Sequence, residues 1–258
     1  MQNRFSKTGA ALAFLLALPA LTPAQFGPPP PSGPPRPAKE IAPVDLTGYW
    51  VAIVTEDWRW RMVTPAKGDY TSVPLNQEGR KAADTWDPAK DTASGNQCKS
   101  YGAAAVMRVP GRLHITWQDD NTLKIETDAG TQTRLLHFGK AQPPTGEPTW
   151  QGFSEASWEM ARAPGRPGAQ RPPTGGSLKV TTTHLRAGYL RKNGVPYSAN
   201  AGLTEYVDRT NEPNGDSWLI VTTIVDDPQY LYQPFITSSH FKREADGAKW
   251  SPTACEAK

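Results

Sequence analysis

The sequence predicts an all-β protein, an antiparallel up-and-down barrel with one short helix. From Asp45 onward the apolar residues recur mostly with period two, which is typical of half-buried strands. Short turn segments such as Asn214-Gly215 separate the apolar runs and favour hairpins. Because the chain offers no series of helical crossovers, neighbouring strands are expected to be antiparallel. A two-layer β-sandwich satisfies the same observations and stays open at this point.

The first 24 residues have the pattern of a secretory signal peptide. Arg4 and Lys7 precede a short apolar run from Gly9 to Ala20, and small residues ending at Ala24 offer a cleavage site. The run is far shorter than the roughly 20 residues that a membrane-spanning helix needs. We therefore expect cleavage after Ala24, no membrane span and a periplasmic or secreted protein.

The rest of the chain divides into a tether and one domain. Residues 25–43 are rich in Pro and Gly and predict an extended tether. Residues 44–258 then form a single β-barrel domain. Within it, residues 161–176 form a second Pro/Gly tract that contains three arginines and predicts a flexible insertion.

The elements of the domain follow from these patterns in chain order. The first strand follows Asp45 and carries Trp50, Trp58 and Trp60 on one face. Residues 75–88 predict the single helix, which Asn76 caps and Pro88 ends. The remaining predicted strands are RLHITWQ (112–118), TLKIETD (122–128), TQTRLLHF (131–138), TWQGFSEASWEM (149–160), SLKVTTTHL (177–185), GLTEYVDR (202–209), SWLIVTTIVDD (217–227) and PFITSSHFKRE (234–244).

The chain contains two cysteines, Cys98 and Cys255. In an oxidising compartment they are expected to form a disulfide. Two free thiols and a catalytic cysteine are the competing interpretations, and Lys99 is the only basic neighbour in sequence that could activate Cys98. A zinc site made only of cysteines is excluded because it needs four thiolates.

The charge balance argues against a nucleic-acid-binding protein. The chain has 28 Lys and Arg against 25 Asp and Glu, a formal net charge of +3, and the basic residues are spread among the acidic ones. Binding to a phosphate backbone needs a concentrated basic surface. The expected partner is therefore a small molecule, while the sequence leaves the oligomeric state open.

Nine tryptophans make an aromatic-lined cavity a plausible ligand site. A hydrophobic or aromatic small molecule is the ligand class that such a lining suits. Plain core packing is the more common role of such tryptophans and stays open as the other interpretation. The candidate ligand-binding residues are Trp58, Trp60, Trp117, Trp158, His184 and Tyr206.

Enzymatic acid/base chemistry in the same cavity is the alternative function. His184 shares its strand parity with Leu178 and Val180, and Glu205 shares its parity with Leu203, so both side chains are expected to point inward. An inward carboxylate near a histidine suits proton transfer in a lyase, isomerase or hydrolase. His184 and Glu205 are therefore the candidate catalytic pair.

No metal or cofactor site is expected. The four histidines fall on different predicted strands, and no pair of them has metal-ligand spacing. The chain also lacks a P-loop, a dinucleotide-binding motif and a Gly-x-Ser-x-Gly motif.

Short motifs link the chain to a known family of barrels. Gly48-Tyr49-Trp50 resembles the Gly-x-Trp opening of lipocalins and related ligand-binding barrels. In that family the Trp closes the barrel floor and an Arg from the last strand packs across it, and Arg243 stands at the corresponding position here. Thr204-Glu205-Tyr206 resembles the family's Thr-Asp-Tyr turn motif. The resemblance implies a ligand-binding barrel.

A larger part of the chain is similar to a large group of exported bacterial proteins of uncharacterised function. This resemblance implies a shared fold and an exported location, and it brings no catalytic residues. The segments that carry it are DLTGYW (45–50), NQCKSYG (96–102), MRVPGRLHITWQDDNTLKIETDAGTQTR (107–134), PTWQGFSEASWE (148–159) and GLTEYVDR (202–209).

Three functions are compatible with these observations. The first is an exported barrel that binds a small hydrophobic or aromatic molecule. The second is an enzyme that uses the same cavity. The third is an envelope protein that binds no small ligand and is held by its Pro-rich arm.

Overall fold

The computed structural model describes residues 36–143, 145–161 and 175–258. The predicted signal peptide, residues 25–35 of the predicted tether and residues 162–174 of the predicted insertion lie outside the described residues.

Strands dominate the described part of the chain. They are β1 (Gly48–Ile53), β2 (Arg112–Asp119), β3 (Thr122–Thr127), β4 (Gln132–Phe138), β5 (Phe153–Ala161), β6 (Gly175–Thr183), β7 (Gly188–Arg191), β8 (Val195–Tyr197), β9 (Gly202–Asn211), β10 (Ser217–Asp226) and β11 (Phe235–Glu244). The helices are α1 (Trp58–Arg61), α2 (Gln77–Ala83), α3 (Pro88–Ala93) and α4 (Ala103–Val106), with a 3-10 helix at Lys99–Tyr101.

Nine of these strands close into a barrel in the order β1-β11-β10-β9-β6-β5-β4-β3-β2. The short β7 and β8 pair with each other outside the barrel. The predicted all-β class and the barrel are thus confirmed, and a two-layer sandwich is not formed. Strands adjacent along the chain are adjacent in the barrel once β7 and β8 are set aside.

One neighbouring pair departs from the predicted antiparallel pattern. β4 and β5 are parallel, and three residue pairs join them, from Leu136↔Ser154 to Phe138↔Ala156. In a closed ring with only antiparallel neighbours the strand directions alternate, so the number of strands must be even. A ring of nine strands therefore needs one parallel pair. Residues 139–152 separate the two strands in sequence.

The helices differ from the prediction in number and bounds. The expected single helix over residues 75–88 ends earlier, since Asp84 is the C-cap of α2, and Pro88 begins α3 instead of ending a helix. Proline suits the first helical position because its missing N–H has no partner to lose there. The predicted cap is confirmed: the Asn76 side chain accepts a hydrogen bond from the Gly79 N–H at 2.8 Å.

The Asn76→Ala variant is expected to lower the free energy of unfolding by about 1 kcal/mol, because the first turn of α2 loses its side-chain acceptor. Urea unfolding followed by tryptophan fluorescence measures the change. The Asn76→Asp variant keeps an acceptor oxygen and serves as the control, with a loss of less than half that size. Equal losses in both variants would show that the cap contributes nothing.

Trp58 and Trp60 do not continue the first strand, so their predicted strand position is wrong. β1 ends at Ile53, and both tryptophans lie in α1. The chain turns at Asp57, which adopts a left-handed conformation with φ 51° and accepts backbone hydrogen bonds from Trp60 and Arg61. This turn ends the period-two geometry that the sequence pattern assumed.

The core consists of two apolar clusters. One fills the barrel and includes Trp50, Leu178 and Phe241. The other includes Leu203 and Phe235 from the barrel. It is covered by the segment of residues 58–106 and by β7 and β8, which also contribute side chains to it. We call this segment and β7–β8 the cap, since they cover one end of the barrel.

A layer of polar side chains lies between the two clusters inside the barrel. Along β9, Glu205 lies between Leu203 of the cap cluster and Val207 of the barrel cluster. The same order recurs on β10 and β11. The buried polar side chains of this layer are Arg134, Ser154, Thr182, Glu205, Thr223, Thr237 and Ser239. The interior is therefore not a uniform apolar lumen.

Trp50 lies at the barrel end opposite the cap and is fully buried. Its indole N–H donates to the carbonyl of Leu46 at 3.0 Å. The Arg243 guanidinium lies 5.8 Å from the centre of the Trp50 ring, and the Arg209 guanidinium lies 5.9 Å from it. The contact expected between Arg243 and Trp50 is thus present, while the relation to lipocalins stays a prediction.

Residues 36–43, which the sequence assigns to the tether, pack on the barrel. Ala38 is buried, its N–H donates to the Asn121 side chain, and its carbonyl accepts the indole N–H of Trp158 at 3.0 Å. The Lys39 N–H donates to the carbonyl of Asp120. Residues 36–43 therefore belong to the folded unit, and the described part of the tether is not an extended spacer.

Candidate functional site

A cavity of about 380 Å³ lies in the cap. α1, the 3-10 helix, α4, the end of β7 and residues 253–256 contribute its walls. Ala105, Val109, Pro110 and Leu190 form apolar parts of the lining. Met62, Val63, Ala129 and Ala254 are also apolar, and the remaining lining residues are polar or aromatic.

Three buried arginines line this cavity: Arg61, Arg108 and Arg191, with 8%, 5% and 4% of their surface exposed. Arginine is rarely buried unless its guanidinium is paired, because removing the charge from water costs free energy. Three such groups around one cavity are therefore the strongest sign of function in the described part of the chain.

Each guanidinium is held by fixed contacts. Arg61 donates to the carbonyl of Arg108 at 2.8 Å and to the Glu56 carboxylate. Arg108 donates to the Asp57 carboxylate at 2.9 Å, and its guanidinium lies 5.6 Å from the centre of the Phe235 ring. These contacts fix the two side chains before any ligand arrives.

Arg191 is held more loosely than its two neighbours. Its Nη1 donates to the carbonyl of Thr71 at 2.7 Å, and its guanidinium lies 5.0 Å from the centre of the Trp60 ring. It has no ion pair within the described residues. Burial, followed by the positive charge of Arg108, lowers the pKa of Arg191 to about 10. The group is thus still charged at neutral pH, at a cost that a bound anion would offset.

Several guanidinium nitrogens of these three arginines are buried and have no hydrogen-bond partner in the described part of the protein. They are Arg61 Nη2, Arg108 Nη1, Arg191 Nε and Arg191 Nη2. A buried donor without a partner costs about 1–3 kcal/mol. An oxyanion accepts hydrogen bonds from such donors in the bidentate geometry that guanidinium groups favour.

The charges around the cavity favour an anion. Among the described residues the lining holds four cationic side chains, which are the three arginines and Lys192, and one carboxylate, Glu256. Glu56 and Asp57 pair with Arg61 and Arg108 but do not line the cavity. Counting all seven groups leaves one positive charge in excess.

Aromatic side chains flank the cationic groups. Trp60 is half-buried beneath Arg191, and its indole N–H donates to the Asp69 carboxylate at 3.2 Å. Tyr101 is buried, and the Lys192 ammonium lies 5.1 Å from the centre of its ring. The cavity therefore combines anion-binding groups with flat apolar surfaces.

A disulfide holds one wall of the cavity. Cys98 and Cys255 are bonded, with their Cα atoms 5.1 Å apart, so the predicted pairing is confirmed. Thr253 and Glu256 on either side of Cys255 line the cavity. Hydrogen bonds from the Thr253 N–H to the carbonyl of Asp128 and from the Thr131 hydroxyl to the carbonyl of Thr253 add to this attachment.

The structure disperses the predicted ligand-binding residues. Trp60 lines the cavity, whereas Trp58 is 65% exposed on the same helix. Trp117 and Trp158 lie at the opposite end of the barrel, with ring centres 6.5 Å apart. Tyr206 pairs with Lys179 of β6, whose ammonium lies 5.7 Å from its ring, and does not belong to the barrel core. The ligand-binding role of these residues stays a prediction, and only Trp60 is placed at this cavity.

His184 does not point into the barrel, so its predicted orientation is wrong. It follows the end of β6, has φ 54° and is exposed, and its ring contacts the Thr183 hydroxyl. Because His184 adopts a left-handed conformation, the alternation of inward and outward side chains is interrupted there. Leu185 is therefore buried instead of His184.

Glu205 points inward as predicted, and its partner is Arg134. Both side chains are 2% exposed or less, and the two carboxylate oxygens accept from Arg134 at 2.6 and 3.1 Å. Arg134 also approaches the hydroxyl of Thr182 at 3.4 Å, and Thr182 hydrogen-bonds Ser154. The structure therefore does not bring His184 and Glu205 together, and Glu205 is part of a buried ion pair.

Sequence reasoning missed the three arginines of the cavity. They come from distant parts of the chain and share no local motif. The period-two pattern continues the first strand past Trp60, whereas in the structure this strand ends at Ile53 and Arg61 lies in α1.

No three His, Cys, Asp or Glu side chains within residues 36–143, 145–161 and 175–258 cluster as metal ligands. In the same ranges, no helix has both the length and the apolar character needed to cross a membrane. Comparison with known proteins yields no matching family model, curated protein or solved structure.

Proposed function

We propose that the protein is an exported β-barrel that binds a small organic anion with an aromatic or apolar body in the cap cavity. The observation that carries the proposal is the set of buried guanidinium nitrogens without partners around this cavity. The proposed ligand thus has the aromatic or apolar body that the tryptophans suggest and carries an anionic group in addition.

A carboxylate or a similar oxyanion fits the site in three respects. It supplies acceptors for Arg108 and Arg191, whose free N–H groups otherwise remain unsatisfied. It balances the excess positive charge. Its apolar body packs on Trp60 and on the wall formed by Val109 and Leu190.

The export part of the proposal rests on the signal-peptide pattern of the first 24 residues and on the Cys98–Cys255 bond. Disulfides of this kind persist outside the reducing cytosol. This bond attaches the segment that contributes Thr253 and Glu256 to the cavity lining, so an oxidising compartment suits the proposed site.

The Arg191→Met variant is expected to bind 2-naphthoate at least about tenfold more weakly than the wild-type protein, because a charge-assisted hydrogen bond contributes about 1.5–3 kcal/mol. Isothermal titration calorimetry at neutral pH measures both affinities. Methionine keeps an unbranched apolar stem over Trp60, so the cavity retains its shape.

Two controls make this experiment selective. Arg186→Met removes an exposed arginine that stacks on Trp150 and does not line the cavity, so its affinity should equal that of the wild type. The uncharged 2-naphthol has the same ring system and should bind much more weakly than 2-naphthoate. Equal affinities for the two ligands, or equal losses in both variants, would contradict the proposal.

A further inference from the structure

Apolar side chains are exposed next to the cavity. Trp58, Met62 and Val63 expose 65%, 59% and 70% of their surface. Within the described residues these are three of six large apolar side chains that are exposed, and they lie within six consecutive positions. We call these three residues the lip.

The lip continues the cavity wall. Met62 and Val63 line the cavity together with Arg61, which precedes them. Trp58 lies one helical turn before Met62, whose N–H donates to the Trp58 carbonyl at 2.9 Å, so the two side chains share one face of α1. An apolar surface thus extends outward from the buried guanidinium groups.

We infer that the ligand is a monomeric amphiphile with a carboxylate head and an alkyl chain, the head lying among the arginines and the chain on the lip. This inference rests on the proposed function and adds the ligand class to it. The carboxylate head is inferred from the guanidinium donors without partners. The alkyl chain is inferred from the continuity of the lip with the cavity. Exposed apolar surface of this kind is otherwise a cost to a protein in water.

The chain length of the ligand tests the inference directly. Affinities of the alkyl carboxylates from butanoate to dodecanoate, each below its micelle concentration, are measured by competition with 2-naphthoate. Full burial of a methylene group corresponds to about a fourfold gain in affinity and half burial to about twofold. We expect a gain of about twofold to fourfold for each methylene that reaches the lip, followed by a plateau.

A lip variant, Met62→Ser with Val63→Ser, removes the apolar surface and leaves the arginines in place. We expect it to lose most of the gain in affinity with chain length that the wild type shows. Ile236→Ser is the matched control, because Ile236 is 62% exposed on β11 and does not line the cavity, and its chain-length series should match the wild type.

The failure of each proposal has its own signature. If neither 2-naphthoate nor butanoate binds in an Arg191-dependent way, the proposed anion site itself is wrong. If the short carboxylates bind through Arg191 but affinity is the same from butanoate to dodecanoate, or if the lip variant keeps the wild-type series, the amphiphile inference is overturned. Binding to phosphatidylglycerol vesicles without binding of monomeric dodecanoate would also overturn it.

Discussion

Glu205→Gln is expected to lower the free energy of unfolding by about 3–5 kcal/mol, because it leaves the buried Arg134 guanidinium without a compensating charge. Arg134 and Glu205 expose only 1% and 2% of their side chains, and both carboxylate oxygens accept from the guanidinium. A glutamine amide offers one acceptor oxygen and no charge. Guanidinium chloride unfolding measures the loss.

A double variant separates the charge effect from a general disturbance of the core. Arg134→Met with Glu205→Leu replaces the pair by apolar side chains of similar volume, and such replacements are commonly neutral or stabilising. We expect the double variant to be more stable than Glu205→Gln alone. An unchanged unfolding midpoint in Glu205→Gln would show that the ion pair does not hold the polar layer together.

The same measurement bears on the catalytic hypothesis for Glu205. A proton-transferring carboxylate must reach the reacting group, whereas Glu205 is buried, pairs with Arg134 and does not line the cap cavity. If Glu205 only stabilises the fold, the Glu205→Gln variant should still bind 2-naphthoate under conditions in which the variant is folded. The reason is that Glu205 does not line the cap cavity.

Removal of the disulfide is expected to have the second large effect. The Cys98→Ser, Cys255→Ser double variant should lose about 2–5 kcal/mol of stability, since the bond joins residues separated by 157 positions and the chain-entropy model gives about 5 kcal/mol for such a loop. It should also bind 2-naphthoate more weakly, because Thr253 and Glu256 lose their attachment beside the cavity.

Reduction of the wild-type protein provides the control for this variant. Dithiothreitol reduces the bond to two thiols while it is itself oxidised to a cyclic disulfide. Unfolding and calorimetry with this reagent should bring the wild type to the values of the double variant and leave the double variant unchanged. A double variant with wild-type stability and affinity would show that the hydrogen bonds of Thr253 alone hold this wall.

The strands could be predicted from the sequence because alternation reports a local property, the side of the sheet to which each residue points. Glu205 and Leu203 share one side, and both are buried as expected. The rule fails where the backbone leaves the extended conformation. Asp57 and His184, both with positive φ, mark two such places, and the errors for Trp58, Trp60 and His184 all follow from them.

The cap cavity could not be predicted, because its chemistry depends on contacts between distant segments. Arg61, Arg108 and Arg191 belong to three segments that meet only when the cap folds on the barrel. In sequence, each resembles an ordinary solvated cation. The Cys98–Cys255 bond is a long-range contact that the sequence did indicate, since two cysteines in an oxidising compartment leave a single intramolecular pairing.

The parallel contact between β4 and β5 also limits how this barrel can change over evolution. Since nine is odd, no set of side-chain substitutions can make every neighbouring pair antiparallel. Insertion or loss of a hairpin changes the count by two and keeps the parallel pair. Gain or loss of a single strand makes the count even and removes the need for a long return connection at residues 139–152. Strands outside the ring, such as β7 and β8 beside the arginines, do not enter this count, so their gain or loss does not affect the need for a parallel pair.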